Sequence, residues 1–132
     1  MRLKLFVLFV ASDQILKLFA INFFHPVFNS GIAFGVGENI PVLSTIVVFL
    51  ILFASIYKSG FKFGEMLLLA GGAGNILDRL IYGKIVDWIK FGSLWFNLAD
   101  VYIGLGVLMM VIDVTKAQKS NSKYQRLAKN SK

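Results

Sequence analysis

Four long apolar stretches constrain this sequence more than any other feature. They cover residues about 3–21, 41–57, 64–82 and 98–115. An α-helix needs about 20 largely apolar residues to cross the hydrocarbon core of a bilayer. The chain of 132 residues is 57% apolar and only 16% charged, whereas soluble domains are about 45–50% apolar and about 25% charged. The sequence therefore predicts an all-α membrane protein with four transmembrane helices, and it argues against a soluble enzyme.

The spans divide the chain into one membrane domain, 1–116, and a basic tail, 117–132. Two outer loops, 22–40 and 83–97, carry aromatic residues that are typical of the headgroup zone of a bilayer. Strand-like patterns in these loops, with a Gly-Ser turn at 92–93, predict a small β-sheet at the extracytoplasmic interface. The tail is polar and rich in Lys, Ser and Asn, so we expect it to be disordered or fraying.

The positions of the basic residues predict how the chain is oriented in the membrane. Ten of the fourteen Lys and Arg residues lie at the N-terminus, in the loop between spans two and three, or in the C-terminal stretch 116–132. A four-span topology puts these three regions on one side. Loops rich in Lys and Arg stay in the cytoplasm, so we expect both termini there. The net charge of +7 is then a topology signal, and we interpret the tail as a solvated flank and not as a nucleic-acid site.

The content of cysteine and histidine excludes several kinds of site. The chain has no Cys, which excludes disulfides, thiolate catalysis and cysteine metal sites. Its single histidine, His25, cannot build a multi-histidine zinc site. We therefore expect no metal site built on cysteine or on several histidines.

Ionisable and polar residues inside the spans form two clusters. A charged residue at the centre of a span costs about 2.5–3.5 kcal/mol on insertion scales, so such residues usually mark a function or an ion pair. Asp13 and Lys17 lie four residues apart on one helix face and can pair, and a structural pair and a role at a site are both open. One face of the third span carries Gly71, Asn75, Asp78 and Arg79. That face is either a packing seam with an Asp–Arg pair or part of a site.

Two further carboxylates are predicted to meet at the outer interface. Asn97 and Asp100 open the fourth span, where they can simply start a helix. Asp87 lies thirteen residues before Asp100, in an apolar run of the second outer loop. Two nearby carboxylates do not both ionise easily, and a pair that shares a proton can act as base and acid on water in amide hydrolysis. A carboxylate hydrolase and a proton-coupled transporter both fit, and composition and spacing do not separate them.

Four blocks of sequence, in order, resemble the lipoprotein signal peptidases, also called signal peptidase II. Asp13 and Lys17 are similar to the family's Asp-x-x-x-Lys block. FNSGIAFG, at 28–35, is similar to its Asn-x-Gly-x-Ala-Phe-Gly block. GGAGNILDR followed by GKIVD looks like its Gly-Gly-x-x-Gly-Asn-x-x-Asp-Arg and Val-Val-Asp blocks, and FNLAD looks like its Phe-Asn-x-Ala-Asp block.

The resemblance implies a four-span aspartic peptidase of the bacterial inner membrane, with Asp87 and Asp100 as its catalytic dyad. It implies substrate-binding or supporting roles for Asn75, Arg79, Asn97, Asp13, Lys17, Asn29 and Gly31. Asp78 precedes Arg79 in the motif, and we interpret it as structural because it lies a turn inside the helix.

The implied reaction releases the signal peptide of a prolipoprotein by cleavage just before a cysteine that carries a diacylglyceryl group. The resemblance implies that this reaction uses no metal or nucleotide. The expected partners are prolipoprotein substrates and membrane lipid. We expect a monomer, since both carboxylates belong to one chain, with the site near the extracytoplasmic face.

Two other functions fit the residues less well. A small four-span transporter or channel subunit would use membrane carboxylates as proton sites and would need a polar pathway through the bilayer centre, whereas the second span is wholly apolar. A structural membrane subunit would tolerate the replacement of Asp87 and Asp100 by Asn.

Overall fold

The structure, a computed structural model, describes residues 2–30, 49–50, 53–54 and 62–130. The predicted second span, 41–57, lies outside the described residues except at four helical positions. The second half of the first outer loop also lies outside them, and with it the predicted site residue Gly31.

Long helices and short strands alternate along the described chain. The helices are α1 (Arg2–Phe23), α2 (Phe63–Tyr82) and α3 (Leu98–Asn130). The strands are β1 (Val27–Asn29), β2 (Ile85–Asp87), β3 (Ile89–Phe91) and β4 (Leu94–Phe96). Among the described helices, α1 and α3 are long and apolar enough to cross a membrane, over Leu3–Phe23 and Leu98–Leu127. A mostly helical architecture with small antiparallel sheets is thus confirmed, and the count of four spans stays a prediction.

Helix α1 turns apolar side chains outward and polar side chains inward. Val7 and Ile15 are exposed, whereas Asp13, Lys17 and Ala20 are buried. The buried positions follow steps of four and three, which places them on one face of the helix. Ionisable residues of membrane helices face the interior of the bundle in this way, so the outer surface of α1 is suited to lipid.

The strands confirm the predicted small β-structure and show how it is paired. β1 of the first outer loop pairs with β2 of the second in antiparallel fashion, with Val27 opposite Asp87. β3 and β4 form a hairpin whose turn contains Gly92 at a φ of 61°, at the predicted Gly-Ser position. The β1–β2 pair carries Asp87 to the end of α2, which stops at Gly83 with a φ of 70°.

The prediction of a disordered or fraying tail is wrong, because α3 continues to Asn130. Residues 116–130 contain neither Gly nor Pro and are rich in Lys, Gln, Ala and other residues that favour helices. A helix that is already formed gains one hydrogen bond for each added residue without a new nucleation cost. The apolar span therefore nucleates a helix that the polar tail extends.

Glycines let α2 and α3 pack with their backbones nearly in contact. A Cβ atom at Gly71 would collide with the carbonyl oxygen of Ala99 and would lie 2.8 Å from Cγ1 of Ile103. Farther along the same seam, a Cβ atom at Gly106 would lie 2.6 Å from the carbonyl oxygen of Gly64. Small residues permit such approaches between membrane helices. This approach brings the start of α3 against the polar part of α2.

We predict that Gly71→Ala destabilises the protein by about 1–3 kcal/mol, the usual cost of overpacking, because the helix backbone of Ala99 cannot move aside alone. Gly104→Ala is the matched control on α3, since no described atom lies within 4 Å of its added Cβ and Ala favours a helix by about 1 kcal/mol over Gly. Thermal unfolding in detergent measures both changes. A Gly71→Ala variant as stable as the parent would contradict the close seam.

Candidate active site

Buried polar side chains gather where α1, α2, β2 and the start of α3 meet. The fully or largely buried members are Asp13, Lys17, Asn75, Asp78, Arg79, Asp87 and Asn97. Buried charges are costly unless they are paired and hydrogen-bonded. Their contacts show that each one has such partners.

An ion cluster formed by Asp13, Lys17 and Asp78 joins α1 to α2. The Lys17 ammonium lies 2.8 Å from Asp13 Oδ2 and 2.8 Å from Asp78 Oδ2. The pair predicted between Asp13 and Lys17 is therefore present, and Asp78 shares the same lysine. Gln14 donates from its amide to Asp78 Oδ1 at 2.9 Å and to the Gly74 carbonyl at 3.1 Å. Gln14 also donates to Asp13 Oδ2 at 3.2 Å, so the two carboxylates share one buried cation and one amide donor.

Asp87 extends from β2 into this interior and is only 2% exposed. Its Oδ1 accepts a hydrogen bond of 2.7 Å from the Asn97 amide, and its Oδ2 accepts one of 3.1 Å from the Asn29 amide. Asn29 reaches Asp87 because it lies two residues from Val27, the strand partner of Asp87, on the same face. The β1–β2 register therefore supplies one of the two donors to this carboxylate.

Asp100 lies in the first turn of α3, where it forms a reciprocal cap with Asn97. The Asn97 backbone N–H donates to Asp100 Oδ2 at 3.1 Å, and the Asp100 N–H donates to Asn97 Oδ1 at 3.1 Å. The Asn75 amide donates to the other oxygen, Oδ1, of Asp100 at 2.9 Å. Since Asn97 also donates to Asp87, one residue both starts the helix and bridges the two carboxylates.

Arg79 supplies the second buried cation near the carboxylates. It is 5% exposed and interacts electrostatically with Asp100, Asp78 and Asp87. With Lys17, the site holds two cations against four carboxylates if all are ionised. Uptake of a proton by one carboxylate would relieve this imbalance.

The pKa of Asp87 indicates where such a proton is favoured. Burial raises the pKa of Asp87 above its ordinary value, the hydrogen bonds from Asn29 and Asn97 act in the opposite direction, and the charge of Asp100 raises it further. Asp87 therefore tends to keep a proton at a pH where an exposed aspartate has lost it. A protonated and an ionised carboxylate side by side can act as acid and base on one water molecule.

The structure brings together eight of the nine residues that the sequence singled out for the site. Those eight are Asp13, Lys17, Asn29, Asn75, Arg79, Asp87, Asn97 and Asp100. Gly31 lies outside the described residues. Sequence reasoning missed Gln14, although a second polar residue directly beside Asp13 in an apolar span was a usable signal. Asp78, which we interpreted from the sequence as structural, lies beside these residues, where it pairs with Lys17 and accepts a hydrogen bond from the Val86 N–H at 3.0 Å.

Comparisons with known proteins agree on one family. The family model described as signal peptidase (SPase) II matches residues 5–116. A lipoprotein signal peptidase of Chlamydia pneumoniae is 41% identical over 65% of this chain and 60% of its own length, and one of Fusobacterium nucleatum is 32% identical over 64% and 59%. These two matches thus span about three fifths of the relatives. A lipoprotein signal peptidase of Thermodesulfovibrio yellowstonii is 33% identical over 79% of this chain and 87% of its own length.

A solved structure shares the fold. A bacterial membrane enzyme studied at 2.3 Å resolution superposes with a TM-score of 0.78 at 21% identity, covering 90% of each chain. The family match and two apolar helices of sufficient length fit a bacterial membrane protein. Because the family model extends over most of the sequence, the chain belongs to the signal peptidase II family.

Proposed function

We propose that this protein is an aspartic endopeptidase that removes the signal peptide from diacylglyceryl-modified prolipoproteins by cleavage before the lipidated cysteine. The observation that carries the proposal is the bridge made by Asn97, which contacts both Asp87 and Asp100. The relatives are lipoprotein signal peptidases, which supports the substrate class. Asp87 and Asp100 are the catalytic dyad of the proposed enzyme.

The proposed reaction is an acid–base hydrolysis shared between the two carboxylates. Ionised Asp100 takes a proton from water, and the resulting hydroxide attacks the scissile carbonyl carbon. Protonated Asp87, whose pKa is raised by burial, gives its proton to the carbonyl oxygen. Asp100 then returns its proton to the amide nitrogen as the C–N bond breaks, and Asp87 recovers its proton from the tetrahedral intermediate.

The neighbouring polar groups orient this chemistry. Asn75 donates to Asp100, and Asn29 donates to Asp87, so that each carboxylate has its own amide donor beside the shared Asn97. Arg79 interacts electrostatically with both carboxylates and can stabilise the negative charge that passes from Asp100 to Asp87 as the neutral tetrahedral intermediate forms. These donors fix the positions of the carboxylates before the substrate arrives.

The proposed setting is a four-span domain, 1–116, in the bacterial inner membrane, with both termini and the 117–132 tail in the cytoplasm. The lipid and the apolar signal helix of the substrate partition into the bilayer. The dyad then meets the scissile bond near the extracytoplasmic face, where water is available. A monomer suffices, because the described chain supplies both carboxylates.

Replacing either dyad residue by Asn will reduce cleavage by at least about a hundredfold, the usual contribution of acid–base catalysis. The measurement is cleavage of a diacylglyceryl-modified prolipoprotein by purified Asp87→Asn and Asp100→Asn in detergent, with thermal unfolding as a check of folding. Asp113→Asn is the matched control, since Asp113 is a half-exposed acid that pairs with Lys62 at 3.4 Å. Cleavage that survives both dyad substitutions would place the chemistry elsewhere.

Removing the Asn29 donor will move the alkaline limb of the pH–rate profile to higher pH. The Asn29 hydrogen bond lowers the pKa of Asp87, so its loss in Asn29→Ala lets Asp87 keep the catalytic proton at a higher pH. The limb is read from kcat measured between acidic and alkaline pH. Asn22→Ala is the control, because this exposed amide donates only to the Leu18 carbonyl among the contacts described. An unmoved limb, or one moved to lower pH, would contradict the assignment of the proton to Asp87.

A further inference from the structure

The ion cluster of Asp13, Lys17 and Asp78 does not contain either dyad carboxylate, yet it contacts the chain beside both. We propose that this cluster is a spacer that sets the separation of Asp87 and Asp100, with Lys17 as its central positioning residue. The inference rests on the proposed function and adds to it a role for three residues outside the dyad.

The first observation is a matching pair of backbone contacts. Asp78 Oδ2 accepts the N–H of Val86 at 3.0 Å, and Val86 directly precedes Asp87. Asp13 Oδ1 accepts the N–H of Ala99 at 2.9 Å, and Ala99 directly precedes Asp100. Each acid of the cluster therefore holds the backbone one residue before a dyad acid.

Lys17 fixes the distance between these two anchors. Its ammonium lies 2.8 Å from Asp13 Oδ2 and 2.8 Å from Asp78 Oδ2, and the three side chains are almost entirely buried. Without the cation, two buried carboxylates would repel each other. This repulsion would move the β2 backbone away from the start of α3, because the two carboxylates are hydrogen-bonded to these two segments. The ammonium thus couples the position of Asp87 to that of Asp100.

A second contact carries the influence of Lys17 to a dyad side chain. Lys17 donates to Asn75 Oδ1 at 3.1 Å, while Asn75 donates from its NH₂ group to Asp100 Oδ1 at 2.9 Å. A side-chain amide has one acceptor end and one donor end. Because a cation occupies the acceptor end, the donor end faces Asp100. Lys17 therefore sets the amide orientation that Asp100 requires.

The tight packing around the cluster leaves little room for it to relax. A Cβ atom at Gly74 would lie 2.6 Å from Asp13 Oδ2 and 3.4 Å from the Ala99 side chain. Gln14 adds donors to Asp13 Oδ2 at 3.2 Å and to Asp78 Oδ1 at 2.9 Å. The two carboxylates are thus held from both ends, as a spacer of fixed length requires.

The test compares Lys17→Met with the double variant Asp13→Asn/Lys17→Met. The single variant leaves two unpaired carboxylates in the cluster and will have a lower unfolding temperature. In the double variant the cluster has the same formal charge as in the parent, because one acid and one base are removed together. We expect its unfolding temperature to recover toward that of the parent. Its kcat will stay at least tenfold below the parent value and its KM will be unchanged, since the spacer acts on the dyad and not on the bound substrate.

Lys62→Met is the matched control, because Lys62 pairs with Asp113 at the surface, and it will keep both the unfolding temperature and kcat. A folded double variant with parental kcat would overturn the spacer role. A double variant that raises KM alone, or that unfolds as readily as Lys17→Met, would overturn it as well, by assigning the cluster to substrate binding or to stability. If the parent itself fails to cleave a lipidated substrate that a control peptidase accepts, the proposed function fails, which is a separate result.

Discussion

A single buried ammonium group determines much of this architecture. Lys17 belongs to an apolar helix and is 1% exposed, so its charge is tolerable only if carboxylates come to it. One of these carboxylates, Asp13, lies on the same helix, and the other, Asp78, lies on α2. The pairing therefore requires α1 and α2 to meet at that depth. Asp13 in turn accepts a hydrogen bond from the Ala99 N–H at the start of α3. Three helices are therefore linked to one cation.

This convergence is possible because the helices meet through glycine. At Gly71 there is no space for a side chain between α2 and Ala99, and at Gly74 there is none between α2 and Asp13. A larger residue would separate the helices and would leave the buried charges without their partners. The apolar outer face of α1 and the polar interior of the helix bundle thus both follow from a lipid environment. Lipid accepts the apolar side chains, and the glycine seam permits the polar ones to satisfy each other.

The elements that could be predicted from sequence are those encoded locally. The start and end of α2 were predicted within one residue, because Gly83 ends an apolar run that begins after a basic loop. The pairing of β1 with β2 was not predicted, because strands more than fifty residues apart carry no local signal of their register. The tail was predicted to be disordered from its polar composition. Composition indicates that a segment is soluble, but it does not show that a helix formed by the preceding span continues into that segment.

The partners of polar residues in the candidate site show the same division. The sequence placed Asp78 and Arg79 on one face of α2 and left an Asp–Arg pair open, and Arg79 does interact electrostatically with Asp78. The ion pair of Asp78 with Lys17, which lies on another helix, was not predicted. The i,i+4 pair of Asp13 and Lys17 could be predicted because the helix itself brings the two residues together. Contacts between elements depend on packing that a sequence pattern does not specify.

Asn97 shows why helix capping and a role at the site were not true alternatives for the start of the last span. A cap needs its side-chain oxygen for the helix N–H groups, and Asn97 uses Oδ1 for the N–H of Asp100. Its amide nitrogen is then left over, and it donates to Asp87. An ionised aspartate at this position would cap the helix equally well but would lack that second donor. The choice of asparagine therefore follows from the need to hold a carboxylate of β2 beside the first turn of α3, which a helix start alone does not require.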